Sequence, residues 1–457
     1  MRRRLNDGIS RYARAALLGV VLVAGLAGVA RRAQAEIIYQ AFDERFVAVQ
    51  GKLDHLRDLG YSIVQVSPPA KSIDLPIWWA RYQPVDLRTI EGPLGNENDL
   101  RQLMTAAHAR GLRVIVDTVL NHMADVRYVG GQLQYPEFSA NDFHYPDTRL
   151  CIQNFNDRYQ VTHSWLCDQN AHLPDLNTSS DYVRGIHKRY LKKLMDLGAD
   201  GFRFDAAKHI EPEYWADVMR TVPSDKFAYG EVIASSPAEA ALYTPYMGVT
   251  DFLLLRAMIG AFSPNGDMRA LAFPESSGAM AGDASIVFAR NHDTAMHADF
   301  FNFGDNQDAM LANAFVIGRG LGHASVYRDD VDNVDVVSAI KFRRALVGQG
   351  PYVRKAAEIC ESEQVCDPRN LLFMERGDKG FMIINKSGLW VDSPTARIPG
   401  LAPGCYHEVR TGFPMRLTRA SDGQKWISAW GDTHRAGFTI GPRTALYLVA
   451  AADGACP

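Results

Sequence analysis

The chain has 457 residues, with 49 Lys and Arg against 52 Asp and Glu, for a formal charge of −3. Its 47% hydrophobic and 22% charged content is that of an ordinary globular protein, and it carries no low-complexity tract, internal repeat or coiled-coil heptad, which excludes disordered and fibrous classes. Without a basic excess, nucleic acid and anionic lipid are poor ligand candidates.

The N-terminus sets the compartment. Arg2, Arg3 and Arg4 precede the apolar run ALLGVVLVAGLAGVA (16–30), and Ala33-Gln34-Ala35 places small residues where a signal peptidase cuts. This pattern predicts a signal peptide over residues 1–35, cleaved before Glu36, and a secreted or periplasmic protein. The run is short for a membrane span, although Arg31 and Arg32 leave an uncleaved anchor as the alternative. Removing residues 1–35 takes away seven arginines and one aspartate and leaves a charge of −9, so a neutral or small ligand is expected. Six cysteines, at 151, 167, 360, 366, 405 and 456, read as disulfides outside the cytosol. Six allow fifteen pairings; proximity favours 151 with 167 and 360 with 366, leaving 405 for 456. No CxxC occurs, so a zinc-finger type of site is not indicated.

In chain order, Glu36–Ala41 predicts a first strand, followed by a helix around 49–59; Ile63–Val66 a second, followed by a long loop; and Val114–Thr118 a third, after a helix over 98–109. Further strands are expected at Gly201–Asp205, Phe227–Glu231, Asp251–Leu255, Ile286–Ala289 and Ala324–Tyr327, with a helix at 182–197. Eight strands alternating with helices predict a closed (β/α)8 barrel over 36–122 and 181–355. Residues 123–180, rich in Asn, Asp, Tyr and Pro, predict a subdomain inserted after strand three. Beyond 356, the alternating runs 371–376, 380–385, 404–410, 424–429 and 443–450 predict a C-terminal antiparallel β-sandwich.

The strand GFRFD (201–205) puts Phe202 and Phe204 on one face and Arg203 and Asp205 on the other. Charges on a buried strand are costly unless paired. In a barrel of this kind, groups at the C-terminal strand ends line the active site. Asp205 ends strand four, Glu231 ends strand five, Asp293 follows strand seven, and Asp117 and His122 lie at the end of strand three. Taken singly, an Asp after a strand is usually a cap or turn former, and a lone His is usually a structural hydrogen-bonding residue. Their joint occurrence in matching context is what points to a site.

VDTVLNHM (116–123), GFRFDAAKH (201–209), GEVI (230–233) and ARNHD (289–293), with LPDLN (173–177), resemble the ordered motifs of the α-amylase family of glycoside hydrolases. WWARYQPV (78–85) and GNENDLRQL (95–103) resemble the animal-type members, and the resemblance extends from about Glu36 to the C-terminus. It implies a retaining enzyme that hydrolyses internal α-1,4 bonds of starch-like glucans through a double displacement. Asp205 would be the nucleophile, held ionised by Arg203; Glu231 the protonated general acid; and Asp293 the third carboxylate, gripping sugar hydroxyls.

The same resemblance implies substrate contacts from His122, His292, Lys208, His209 and Arg203, and from Trp78, Trp79, Tyr82 and Gln83 in the aromatic segment. Aromatic faces suit the flat C–H faces of sugars, although consecutive tryptophans are commonly core residues. Asp117 would support His122 and the mouth. A structural Ca2+ is implied, held by Asn121, Asp175 and the backbone carbonyl of His209; oxygen-only ligands suit calcium. Chloride is not expected, because Ser325 stands where the animal-type site would need an arginine. The expected partners are maltooligosaccharides and starch-like glucans, the chain acting as a monomer. A glucanotransferase or a hydrolase of small maltooligosaccharides is the alternative, and an inactive carbohydrate-binding relative a further one.

Overall fold

The computed structural model describes residues 35–452 apart from 170, 281, 283, 298–299, 356–366, 368, 394–400, 420–424 and 430–437. The expected signal peptide and Cys360, Cys366 and Cys456 lie outside the described residues. Among the described residues no helix is long and apolar enough to cross a membrane.

Eight strands, Ile37–Ala41 (β1), Ile63–Val66 (β2), Arg113–Val119 (β3), Gly201–Asp205 (β4), Phe227–Gly230 (β5), Gly248–Thr250 (β6), Ser285–Val287 (β7) and His323–Tyr327 (β8), close into one barrel in chain order. Every neighbouring pair is parallel. Parallel neighbours need crossovers, and helices Phe46–Leu59 (α1), Glu97–His108 (α2) and Asp181–Leu197 (α3) supply three of them. The start of α2 is written locally: the Asn96 side chain accepts the Asn98 and Asp99 N–H groups at 2.8 and 3.1 Å, and Asp99 accepts the Asn96 N–H at 3.0 Å. Its apolar stripe of Leu100, Leu103, Met104 and Ala107 is buried.

The alternation in β4 works as its pattern demands. Phe202 and Phe204 are fully buried in the large core shared with the helices, whereas Ile38, Ile63, Ile115, Tyr229 and Ile286, from five strands, form a separate buried cluster. Gly201 allows β4 and β5 to approach: a Cβ there would lie 1.7 Å from the Phe227 carbonyl oxygen.

The sixth strand corrects the sequence reading. Asp251–Leu255, expected as a strand, is instead the start of a helix, Phe252–Phe262 (α4), and the barrel strand lies just before it at Gly248–Thr250. The Asp251 carboxylate caps α4 by accepting the Leu254 N–H at 2.9 Å. A short apolar run buried on all sides has the same composition in either state, so the cap, not the apolar residues, marks the boundary.

The segment expected as an insertion holds little regular structure beyond the short helix Arg158–His163 and the pairing of Leu166–Cys167 with His172–Leu173. The Cys151–Cys167 disulfide forms as proximity suggested. The end of this segment runs back along the end of β3: His122 bridges Asp175, the Leu176 N–H donates to the Asn121 carbonyl at 2.9 Å, and the Met123 N–H to the Pro174 carbonyl at 3.2 Å.

All five expected C-terminal runs are strands of one seven-stranded antiparallel sheet, in spatial order 351–355, 371–376, 380–385, 444–450, 404–408, 414–419 and 425–429. Two of its members, Pro351–Lys355 and Pro414–Arg419, were not expected, and the first starts before residue 356. A ladder of Val391–Ser393 with Phe438–Ile440 closes a second layer, with Val391 and Ile440 buried against Phe373, Phe381, Ile383 and Tyr406. Cys405 is also disulfide-bonded. Tyr447 ties the sheet to the barrel: its hydroxyl donates to the Asp335 carbonyl at 3.0 Å, and its ring lies 5.7 Å from that of Phe342.

Candidate active site

The carboxylates from the strand ends meet around one guanidinium. Arg203 Nη1 donates to both oxygens of Asp117 (2.8 and 3.0 Å) and to Asp205 Oδ1 (2.7 Å), while its Nη2 lies 2.8 Å from Glu231 Oε1. Asp293, from the short helix His292–Met296 after β7, shares a hydrogen bond with Glu231. The Arg203 side chain is only 3% exposed. Two strands and the residue after a third thus bring three carboxyls to a single buried cation, and a short helix adds the fourth beside Glu231.

Ala206 makes one of these contacts possible. It sits in the left-handed region (φ 46°) immediately after the last residue of β4, a conformation that costs a non-glycine residue about 1–3 kcal/mol. In return its N–H turns back to Glu231 Oε2 at 3.0 Å. The backbone departs from regularity where it orients a carboxylate.

One cation against four buried carboxyls cannot keep all of them ionised. Burial pushes Asp205 up to about 8 against the pull of Arg203, with Glu231 and Asp117 adding repulsion. Burial likewise raises Asp117 to about 6, again opposed by Arg203, and lifts Asp293 well above the carboxylate range, with Glu231 contributing. For Glu231, burial is outweighed by Arg203, His292 and the Ala206 N–H, and its carboxyl lies below its ordinary value. The raised carboxyls are Asp205, Asp117 and Asp293 and the lowered one is Glu231, so the protons retained in the free protein belong to the cluster as a whole. The four groups titrate as one cluster.

The aromatic segment forms the adjacent wall. Tyr82 donates its hydroxyl to Asp117 Oδ2 at 3.0 Å, and its ring stacks on His292 at 5.2 Å and 9°. Phe42 covers the other side of the His292 ring at 4.6 Å. Trp78 meets Tyr82, His292 and His297 edge-on at 5.7–6.2 Å. Gln40 Nε2 donates to His292 Nδ1 at 3.0 Å, which leaves the proton of the neutral ring on Nε2, 3.4 Å from Asp293 Oδ1. Burial and then Arg203 keep this imidazole neutral, at about 3.

Other expected residues fall in differing places. His122 is buried and hydrogen-bonded through Nε2 to the Tyr82 carbonyl at 3.0 Å, so the partners of Asp117 are Arg203 and Tyr82. Lys208 Nζ lies 3.0 Å from the Ile233 carbonyl and 2.9 Å from Glu239, and His209 Nδ1 donates to the Val161 carbonyl at 3.1 Å. Trp79 turns to Tyr128, ring centres 6.2 Å apart. Gln83, expected as a substrate contact, makes a backbone contact across the fold. It is 2% exposed and its Oε1 accepts the Asp125 N–H at 3.0 Å, so it fastens the start of the insertion to the barrel. Two contributors went unread in the sequence: Gln40, whose position at the end of β1 was the available signal, and Phe42, just beyond it.

At the junction of β3 and the insertion, Asn121 Oδ1 and Asp175 Oδ1 are buried without a hydrogen-bond partner, on residues 1% exposed. Burial, with Glu211 next, pushes the Asp175 carboxyl well above its ordinary range. Two partnerless buried oxygens, one of them carboxylic, are a donor set that fits a hard cation. Arg328, near the position weighed for chloride, gives Nη1 to the Phe42 carbonyl, and Ser325 lies within β8.

Comparisons with known proteins agree with this architecture. The family model for the α-amylase catalytic domain matches residues 46–246. An α-amylase of Aeromonas hydrophila is 32% identical over 432 residues, covering 82% of this chain and 90% of that one. The pancreatic α-amylase of Sus scrofa is 27% identical over 82% of this chain and 87% of that one. Among solved structures, a mutant α-amylase I of Eisenia fetida in complex with maltohexaose superposes with a TM-score of 0.72 at 22% identity, covering 89% of this chain and 97% of that one. A cyclomaltodextrin glucanotransferase reaches 0.68 at 17% identity, covering 91% and 99%. With its closed parallel barrel, its strand-end carboxylates and a relative of this identity matched over nearly its whole length, the chain belongs to the α-amylase family, glycosidases acting on α-1,4-glucan.

Proposed function

We propose that the protein is an exported α-amylase that cleaves internal α-1,4 bonds of starch-like glucans with retention of configuration. The observation that carries this reading is the single Arg203 guanidinium holding both Asp205 and Glu231, with Asp293 hydrogen-bonded to Glu231. Export rests on the leader-like sequence of residues 1–35.

Asp205, as the carboxylate, attacks the anomeric carbon while Glu231 protonates the leaving oxygen; water, deprotonated by Glu231, then attacks the same carbon and frees the sugar from Asp205. The acid step needs a proton on Glu231, and the hydrogen bond from Asp293, whose carboxyl is raised, holds one within reach. Arg203 stabilises Asp205 as it ionises. His292, neutral and with its Nε2 proton directed by Gln40, donates to a sugar hydroxyl without adding charge. Tyr82 and Trp78 supply an aromatic wall for the sugar face.

Calcium would be held by Asn121 Oδ1, Asp175 Oδ1 and the His209 backbone carbonyl, tying the insertion to the loop that follows Asp205. It would supply charge compensation and rigidity and take no part in the bond-breaking step.

NMR of fresh maltooligosaccharide digests tests the reading: the α-anomer of the new reducing end should appear first, and short oligosaccharides should dominate on soluble starch. Asp205→Asn and Glu231→Gln should each lower turnover by about 10²–10⁴-fold or more while sparing substrate binding. First appearance of the β-anomer, or near-normal turnover in either variant, would overturn it. Products longer than the donor, in the presence of an acceptor sugar, would favour transfer over hydrolysis.

A further inference from the structure

Beside the oxygens of Asn121 and Asp175 lies a second convergence of ligand atoms. One ring nitrogen each of His144 and His163 and a carboxylate oxygen of Glu211 lie within 4.8 Å of one another, and all three residues are partly buried. They come from separate parts of the chain: the early insertion, the end of the helix Arg158–His163, and the turn before the helix Pro212–Val218.

The hydrogen bonding around His163 decides what this cluster can hold. Thr162 Oγ1 has one proton, and it goes to the Arg158 carbonyl at 3.0 Å. The 2.8 Å contact between Thr162 Oγ1 and His163 Nδ1 must then be donated by the ring. In the neutral ring the lone pair is therefore on Nε2, and Nε2 lies 3.5 Å from Glu211 Oε1. Glu211 Oε1 is itself a buried oxygen without a hydrogen-bond partner, while Oε2 accepts the Thr178 hydroxyl. Two acceptors face each other, and each is oriented from behind by a threonine.

His144 completes the arrangement. Its Nδ1 lies 2.6 Å from Asp175 Oδ2, and its ring centre is 4.6 Å from that of His163. A carboxylate behind an imidazole is the usual support of a metal-binding histidine. The spacing also suits a small ion: ligands about 2.0–2.1 Å from a tetrahedral centre are about 3.3 Å apart, close to the 3.5 Å between His163 and Glu211. The donor set of two imidazoles and one carboxylate suits a borderline cation of the Zn2+ type, whereas calcium takes oxygen.

We propose that His144, His163 and Glu211 form a binding site for a borderline divalent cation such as Zn2+, supported by Thr162, Thr178 and Asp175 and adjoining the oxygen-lined position of Asn121 and Asp175. The ion would cross-link the insertion to the turn after β4. The site is independent of the hydrolase mechanism.

The test uses the untagged full-length protein, stripped with chelator, reloaded with Zn2+ in the presence of excess Ca2+, and assayed for both metals by elemental analysis after desalting. About one Zn2+ per chain should be retained alongside calcium. His163→Gln and Glu211→Gln should each weaken Zn2+ retention by more than the 10–100-fold lost on changing outer-shell partners, with calcium content unchanged. Co2+ in place of Zn2+ should give visible bands of a low-coordinate nitrogen-ligated site, and this spectrum of the unaltered protein remains decisive if a variant fails to fold. Zn2+ fully displaced by Ca2+, retention unchanged in both variants, or a Co2+ spectrum without imidazole ligation would overturn the proposal; an imidazolium–carboxylate pair of His163 with Glu211 would give all three.

Discussion

The barrel mouth and the insertion junction solve the same problem, buried charge, in opposite ways. At the mouth the protein supplies its own counter-ion: Arg203 reaches three carboxylates, and the fourth, Asp293, bonds to Glu231. At the junction Asp175 and Glu211 face the imidazoles of His144 and His163. Asn121 Oδ1, Asp175 Oδ1 and Glu211 Oε1 stay buried without a hydrogen-bond partner. The mouth is assembled by parallel strands that fix each side chain within one register, whereas the junction is assembled by irregular chain held through a few backbone bridges. A site that must hold carboxyls in place while protons move is built on rigid strands with a fixed cation, and a site built from loops is left to be completed by a ligand.

That contrast can be broken most severely at Arg203. Arg203→Met would leave Asp117, Asp205 and Glu231 without their cation, and removing one partner of a buried ion pair costs about 3–5 kcal/mol. Thermal or denaturant unfolding should show the loss, and a stability within 1 kcal/mol of the parent would mean that the carboxyls are neutral together. The junction should respond to its missing ligand instead. Excess chelator should lower Tm, and Ca2+ at about 100 times its Kd should restore about 2.7 kcal/mol. An unchanged Tm, with metal removal verified by elemental analysis, would contradict the calcium reading.

A smaller effect sharpens the description of the mouth. Asp205 has its ordinary value of 3.8 in the unfolded chain and about 8 in the folded one. The folded state therefore binds the extra proton between those values, and the stability this contributes is complete below about pH 4 and is lost as pH rises towards 8. Asp205→Asn removes the titration, so the variant's Tm should fall less steeply than the parent's across pH 4–8. Parallel curves would mean that Asp205 is ionised in the free protein.

Much of the architecture was legible because it is local. The two-residue alternation in GFRFD, the helical run over 98–109 and the short runs beyond 370 each describe their own backbone, and their elements formed where the pattern put them to within a residue or two. Asp251–Leu255 misled because an apolar run buried on every side carries no period, and only the carboxylate cap separates strand from helix. Gln83 shows a different limit: its neighbours in sequence line the aromatic wall, and its own Oε1 accepts the Asp125 N–H, a contact that no spacing predicts.

By itself the sequence determined the barrel, the inserted segment, the C-terminal sheet and the acidic residues placed at strand ends, because periodicity, caps and turns act over a few residues. Only the tertiary structure decided that Arg203 serves three carboxylates, that Asp117 supports Tyr82, that Gln40 sets the His292 proton, and that His144, His163 and Glu211 converge. Apart from Arg203 with Asp205, these are contacts between groups about twenty to more than two hundred residues apart. Their chemistry follows from burial and distance, neither of which a linear pattern contains.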